Sequence, residues 1–382
     1  MQVYFDHNAT SPLHPEVLEA MLPYLSNPTA NASSLHKPGR LARSAIELAR
    51  GQVAELVNGT PESVIFTSGG SEANNLLFKG YVDADDQRPV VSSEIEHPSV
   101  LQPLLQLEQS GYRVVRLKVN AAGQVDLEAA QKVLKENNPQ IFSVMLANNE
   151  TGVLQPVQEL IHLIQAENCL THSDATQVVG KLPIDMRQLG LHALTLSAHK
   201  FQGPQGIGAL IVNRKPRQAL ISGGEQEKNR RAGTENVAMI VGMGKAARIA
   251  ALEIQHKHHH LSQLREVFES RLATLPGVVI FGQGAERLPN TTYFSLPFYH
   301  GETLLMELDR AGLALASGSA CHSEVTKASH VLSAMGVNDS LALNAIRASF
   351  GMSNTLQEVD ALVAKLQDLI NKLPAILRQA AV

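Results

Sequence analysis

Ala193-Leu194-Thr195-Leu196-Ser197-Ala198-His199-Lys200 is an apolar run of strand length that closes on a lysine, and Gly203-Pro204-Gln205-Gly206 turns the chain away directly after it. The run predicts a strand with Lys200 at its C-terminal edge, where the amine can meet a carbonyl-bearing cofactor and form a Schiff base. Lysines are ordinarily solvated surface charges. What gives this one meaning is its company: Asp174, His97, the turn Gly69-Gly70-Ser71, and Cys321.

Around this run, apolar segments of strand length alternate with helical periodicity, the signature of a parallel sheet built from βαβ units. The predicted strands are Val64–Thr67, Pro89–Ser93, Arg113–Val119, Gln140–Ala147, Cys169–Ser173, Ala193–Ser197 and Gly206–Val212. Helices are expected at Ser71–Val82, Ser99–Ser110, Asp126–Asn137 and Pro156–Glu167; Asp126 suits a cap and Pro156 a first helical turn. Beyond the Gly-, Arg- and Asn-rich segment Ser222–Asn236, a helical stretch runs from Val237 to about Leu275, its periodicity interrupted near His256. Short strands (Val278–Phe281, Thr292–Leu296, Ala345–Ser349) then alternate with helices (Gly301–Ala311, Val325–Met335, Leu356–Leu373). The expectation is an α/β chain of two domains. Residues 15–257 form a large domain with a mostly parallel seven-stranded sheet, and residues 1–14 with 258–382 form a smaller α+β domain.

Length and composition agree with this. A chain of 382 residues exceeds what one core usually fills, and 44% hydrophobic with 18% charged residues is ordinary globular usage. A net charge of −4 without a basic stripe gives no reason to expect nucleic acid or membrane partners. The opening Met1-Gln2-Val3-Tyr4-Phe5-Asp6 lacks a secretory pattern, so a cytoplasmic location is expected. Two cysteines, Cys169 and Cys321, form neither a disulfide framework nor a zinc pattern. His256-Lys257-His258-His259-His260 has no neighbouring carboxylate or thiolate to complete a metal site and reads as a solvated helix face; no metal is assigned.

Four further motifs carry chemistry. Val64 to Asn75 reads as strand, glycine turn and helix start, which is either a plain turn or a place where backbone N–H groups and Ser71 receive a single phosphate. Asp174 ends the strand of Cys169-Leu170-Thr171-His172-Ser173, either as a helix cap or as an acid that keeps a pyridine nitrogen protonated. His97, in Glu96-His97-Pro98, follows a strand, either as plain turn chemistry or where its ring can stack on a planar ligand and exchange protons. Asn148-Asn149-Glu150-Thr151-Gly152 ends another strand in paired amides.

Taken together with Arg231-Ala232-Gly233-Thr234 and Ser317-Gly318-Ser319-Ala320-Cys321, these motifs occur in the order seen in cysteine desulfurases, and the chain resembles that family nearly end to end. The family belongs to the class V aminotransferase group of fold-type-I enzymes that use pyridoxal 5′-phosphate. The resemblance implies that Lys200 holds this cofactor covalently, that Gly70, Ser71, Ser197 and His199 grip its phosphate, and that Thr234 reaches the phosphate of a neighbouring subunit in a homodimer. It implies that Asp174 pairs with the ring nitrogen, Gln177 and Asn149 lie near the phenolic oxygen, and His97 stacks on the ring. Asn149 and Arg347 would bind the substrate L-cysteine, the arginine through its carboxylate.

Cys321 separates desulfuration from transamination. Small residues around it suit an exposed loop, where a thiolate can take sulfur as a persulfide, whereas Cys169 sits in an apolar strand and reads as core. About ten residues separate Cys321 from Val331-Leu332-Ser333-Ala334-Met335-Gly336, similar to the long-loop branch of the family, which implies delivery to a protein acceptor such as an iron–sulfur scaffold or a sulfur carrier for tRNA or cofactor thiolation. A selenocysteine lyase or an aminotransferase on the same scaffold, and a non-catalytic sulfur-relay protein, are the competing readings.

Overall fold

The computed structural model describes residues 2–26, 31–165, 168–296, 298–318 and 328–374. A seven-stranded sheet dominates the first two thirds of the chain. Its members are Val64–Thr67, Val90–Ser93, Val114–Leu117, Ile141–Ser143, Leu170–Asp174, Ala193–Ser197 and Gly208–Val212. From one edge, the strands beginning at Val64, Gly208, Ala193, Leu170, Ile141, Val90 and Val114 follow in that order. Only Gly208–Val212 runs against the rest, pairing antiparallel with both neighbours. All the parallel strands therefore deliver their carboxyl ends to one side, where open α/β sheets bind ligands.

The strands are near-continuous apolar runs because both faces are covered. Helices Gly70–Tyr81 and Pro98–Gln109 bury Leu76, Leu77, Phe78, Val100 and Leu104 with strand residues Ile65, Val90 and Leu210 on one face. A larger cluster containing Phe66, Phe142, Leu194, Leu196 and Ile211 covers the other. Helix Leu127–Asn137 starts where Asp126 accepts from the Glu128 and Ala129 amides. Helix Val157–His162 is shorter than its periodicity predicts, and Pro156 precedes its first turn as the cap residue.

Two helices without a strong sequence signal complete that side, Pro15–Ser26 and Lys37–Glu55. They pack on the long helix Val237–Leu272 through small residues: a Cβ on Gly244 would lie 2.6 Å from Ala49 Cα, and one on Gly242 would lie 2.6 Å from the Met21 sulfur. The helical stretch expected from Val237 to about Leu275 is one continuous helix of 36 residues, running unbroken through the change of periodicity near His256. The periodicity changes because the partner changes. Its first half buries Ala246, Ala247 and Ala250 with the large sheet's cluster, and its second half buries Leu261, Leu264, Phe268 and Leu272 in another. At the changeover Lys257 is buried beside Glu253 (3.2 Å), while His256, His258 and His259 are exposed. Among the described residues no group of three or more His, Cys, Asp or Glu side chains could hold a metal ion.

The second cluster lies under a four-stranded antiparallel sheet of Ala316–Ser317, Ala345–Ser349, Thr291–Ser295 and Val279–Ile280, in that order. Helices Gly301–Arg310 and Leu356–Lys372 also contribute to it. The latter opens with a reciprocal Thr355–Glu358 capping box. The N-terminal segment joins this unit: Val3–Tyr4 pairs parallel with Leu313–Ala314, and Phe5 stacks edge-to-face on Phe350 at 5.6 Å.

One buried ion pair ties the segment after the large sheet back to it. The guanidinium of Arg50 donates to Glu227 through both terminal nitrogens (2.8 and 2.9 Å) and to the Val64 carbonyl, and Glu227 accepts also from the Phe66 amide. Removing one member of such a pair strands the other charge in the interior. Glu227→Ala should therefore cost about 3–5 kcal/mol, read as a lower urea midpoint, and Glu227→Gln less because it keeps acceptor oxygen.

Candidate active site

Lys200 sits one short turn beyond the strand edge. Strand Ala193–Ser197 stops and Ala198–Lys200 form a 3₁₀ turn, closed by bonds from the Phe201 (3.1 Å) and Gly203 (2.9 Å) amides to the Ala198 carbonyl. The lysine's Nζ donates to the carbonyls of Asn8 and Ala9. Burial first, and then Arg347, pull its pKa down to about 8, against the opposing charges of Asp6 and Asp174. An amine poised there is a nucleophile at neutral pH, which an ordinary lysine is not. Trinitrobenzenesulfonate, which reacts with neutral amines, should label Lys200 at a rate that levels off above about pH 8, whereas surface lysines keep gaining reactivity past about pH 10. Peptide mapping at several pH values checks this.

Asp174 ends strand Leu170–Asp174 and heads no helix. One carboxylate oxygen accepts from Asn74 Nδ2 (2.8 Å) and the other from the Thr176 amide (2.9 Å), which fixes the carboxylate on the cavity wall. His97 caps helix Pro98–Gln109, with Nδ1 accepting from the Ser99 amide at 3.1 Å. That bond places the proton of the neutral ring on Nε2. Although the ring opens onto the cavity, the protein around it lowers its pKa by desolvation, so it is neutral.

Gly70 and Ser71 begin helix Gly70–Tyr81 just past strand Val64–Thr67, presenting the helix N-terminus to the same space. A Cβ on Gly70 would come 3.3 Å from Thr176 Oγ1, so glycine leaves that approach open. His199 approaches Thr10 Oγ1 through Nδ1 (3.2 Å), and burial followed by Lys200 lowers its pKa to about 4. Gln177 Nε2 donates to the Asn8 carbonyl (3.0 Å).

These groups line one cavity of about 220 Å³: Gly70, Ser71, His97, Asn149, Asp174, Gln177, Ser197, His199 and Lys200 all face it. They come from five separate strand ends. Arg347 lies just outside, in strand Ala345–Ser349, with its terminal nitrogens donating to Asp6 Oδ1 (2.7 Å) and the Asn149 carbonyl (2.8 Å), while its buried Nε has no partner among the described residues. Thr234 lies in a neighbouring cleft beside Ser68, Gly206 and Arg231, away from the Lys200 of its own chain. Cys321 falls outside the described residues, as does the start of the helix expected at Val325–Met335, whose described part is His330–Ala334.

Some residues of the site have no individual signal in the sequence. Asn8 is a buried hub: its carbonyl accepts from Lys200 and Gln177, its Oδ1 from Lys181 and Asn290, and its Nδ2 donates to Asn149 O and Thr291 Oγ1. Lys181 is a second buried amine, held by Asn8 Oδ1 and by both oxygens of Gln177; burial lowers its pKa strongly. Glu96 and Glu150 are buried carboxyls, pushed up to about 8 and about 7 chiefly by desolvation.

The residues fit a phosphorylated pyridine aldehyde. The cavity has a nucleophilic amine, a carboxylate anchored by two donors, a helix N-terminus, and one buried hydroxyl, Thr176 Oγ1, that finds no partner among the described residues. The class-V aminotransferase family pattern matches residues 3–362. A cysteine desulfurase IscS of Dictyoglomus turgidum is 41% identical over 382 residues, covering 98% of this chain and 96% of its own. The chain belongs to the cysteine desulfurases. Enzymes of this group are generally dependent on pyridoxal 5′-phosphate. A solved NifS-like protein superposes with a TM-score of 0.91 at 34% identity, over 98% of this chain and 100% of its own. A second solved structure, SspA in complex with cysteine, gives 0.80 at 29% identity over 92% of this chain and 99% of its own. The fold-type-I architecture is thus shared over nearly the whole length. Among the described residues no helix is long and apolar enough to cross a membrane.

Proposed function

We propose that this desulfurase takes sulfur from L-cysteine onto Cys321 as a persulfide, releases L-alanine, and passes the sulfur to a protein acceptor, an iron–sulfur scaffold or a sulfur carrier. The observation that carries this reading is the meeting of nine motif residues on one cavity around a lysine whose amine is poised near neutrality. Pyridoxal 5′-phosphate, when bound, supplies the electron sink that makes the substrate α-carbon acidic. Lys200 would hold the cofactor covalently, and its amine would be placed to take the substrate α-proton as general base. Gly70, Ser71, Ser197 and His199 would receive the phosphate, with Thr234 contributed by the partner of a homodimer. Asp174 would keep the ring nitrogen protonated, His97 would cover the ring and hold a proton at Nε2, and Asn149 and Gln177 would face the phenolic oxygen. Arg347 would exchange Asp6 for the substrate carboxylate, a bidentate match for its fork of donors.

The sulfur step balances without an outside oxidant. The Cys321 thiolate attacks the substrate sulfur, the S–S bond forms as the substrate C–S bond breaks, and the electron pair left on carbon takes a proton to give alanine. The polypeptide divides, on this reading, into a large domain of residues 15–257 and a small domain of 1–14 with 258–382 that carries the cysteine, and the protein works in the cytoplasm. Holoenzyme given L-cysteine should form alanine one-for-one with persulfide and sulfide, with the added sulfur mapped to Cys321. Keto-acid products would replace this reading by an aminotransferase, activity confined to selenocysteine by a lyase, and no turnover at all by a relay protein.

A further inference from the structure

Gly318 and Ser329, described residues on the two sides of the segment that carries Cys321, are brought to the same buried carboxyl. On one side the backbone of Gly318 passes so close to the Tyr293 hydroxyl that any side chain there would overlap it, and a Cβ would also lie 2.7 Å from Glu150 Oε2. On the other side the Ser329 hydroxyl donates to that same Glu150 Oε2. The serine oxygen simultaneously accepts from the Val331 (3.1 Å) and Leu332 (3.2 Å) amides, so it caps helix His330–Ala334 while holding Glu150. Glu150, Tyr293 and Ser329 are each at most 3% exposed.

Glu150 is also wired to the cavity. It follows Asn149, a cavity residue whose carbonyl accepts from Arg347, and its own amide donates to Asn148 Oδ1 (2.9 Å) inside the turn 148–152. One residue beyond Ser329, His330 Nε2 meets the Glu96 carbonyl at 3.0 Å, next to His97. A carboxyl is expensive to bury, and an apolar residue would fill the same volume at lower cost. Its place here has a geometric use, because bringing two points of a chain together costs entropy that a fixed junction settles in advance.

We propose that Glu150 is a positioning residue: it holds Ser329 by a hydrogen bond and lies against the backbone of Gly318, so that the described flanks on both sides of Cys321 are referred to one side chain beside the cofactor cavity, and through them the thiol's approach to substrate sulfur. The proposal rests on Cys321 being the sulfur acceptor. Glu150→Ala, Glu150→Gln and Ser329→Ala holoenzymes are compared in single turnovers that follow the cysteine-induced absorbance change and alanine formation separately. In Glu150→Ala the absorbance change should keep its rate and amplitude while alanine formation falls on the order of 10- to 100-fold, as for a reacting group displaced by roughly 1 Å. Glu150→Gln, which keeps an acceptor oxygen for Ser329 and Tyr293, should recover most of the rate, and the losses in Glu150→Ala and Ser329→Ala should not add in the double variant.

Alanine formation at the unsubstituted rate in Glu150→Ala would overturn the proposal, as would a parallel fall of both steps or a glutamine variant no better than alanine. Persulfide mapping of the unsubstituted enzyme separates the two levels of inference. A persulfide at Cys321 together with an unimpaired Glu150→Ala sinks this proposal alone, whereas no persulfide at Cys321 sinks the functional reading and the proposal with it.

Discussion

Lys200→Ala should abolish alanine formation from L-cysteine, with a loss of at least about 10⁴-fold, the upper range for a positioned general base, because the same side chain also holds the cofactor. The structure supplies the reason a neighbour cannot take over. Lys181 is the other buried amine of the region, but its Nζ is surrounded by Asn8 Oδ1, Gln177 O and Gln177 Oε1, and it does not line the cavity. Lys200→Arg should fail equally: a guanidinium forms no Schiff base and adds a second fixed cation to a site where Arg347 already disfavours one. The measurement is borohydride reduction after incubation with pyridoxal 5′-phosphate, followed by peptide mapping. The unsubstituted protein should carry the fixed adduct at position 200 and the alanine variant none. An adduct on Lys181 in the variant, or measurable turnover, would remove Lys200 from the centre of the mechanism.

Why Lys200 was legible while Asn8 and Lys181 were not follows from how each acts. The lysine is announced by a strand run and a Gly-Pro turn, local signals within a dozen residues; Asp174 likewise ends a strand, and His97 and Asn149 lie in the short stretches that follow strands. Asn8 works through backbone and amide bonds to residues 141 to 341 positions away, and no local pattern encodes such pairings. The same division holds for the fold. Strands with covered faces show themselves as apolar runs, whereas helices Pro15–Ser26 and Lys37–Glu55 leave large hydrophobics such as Leu18, Leu22, Leu41 and Leu48 exposed, and so blur their own amphipathic pattern. The interrupted periodicity near His256 has a similar origin, since one uninterrupted helix there serves two cores in succession.

Cys321→Ala should keep the cofactor and its response to L-cysteine yet lose sulfide and alanine formation on the order of 10³-fold or more, equivalent to about 4 kcal/mol of barrier. The separation is expected because the residues that line the cofactor cavity stand on strand ends and helix starts of the large sheet, while the cysteine lies between Gly318 and Ser329, beyond the second sheet's strand Ala316–Ser317. Cys169 gives the internal control. It is 2% exposed, and burial pushes its thiol up to about 12, so almost none of it is thiolate at neutral pH. Cys169→Ala should therefore leave sulfur transfer unaltered and cost only packing. Absorbance of the loaded proteins, alanine release and persulfide mapping together distinguish the outcomes. If Cys321→Ala desulfurates at the unsubstituted rate, sulfur leaves the substrate without this thiol, and the chemistry must be sought among the groups of the cavity itself, where His97 Nε2 and the displaced Lys200 amine are the remaining proton carriers.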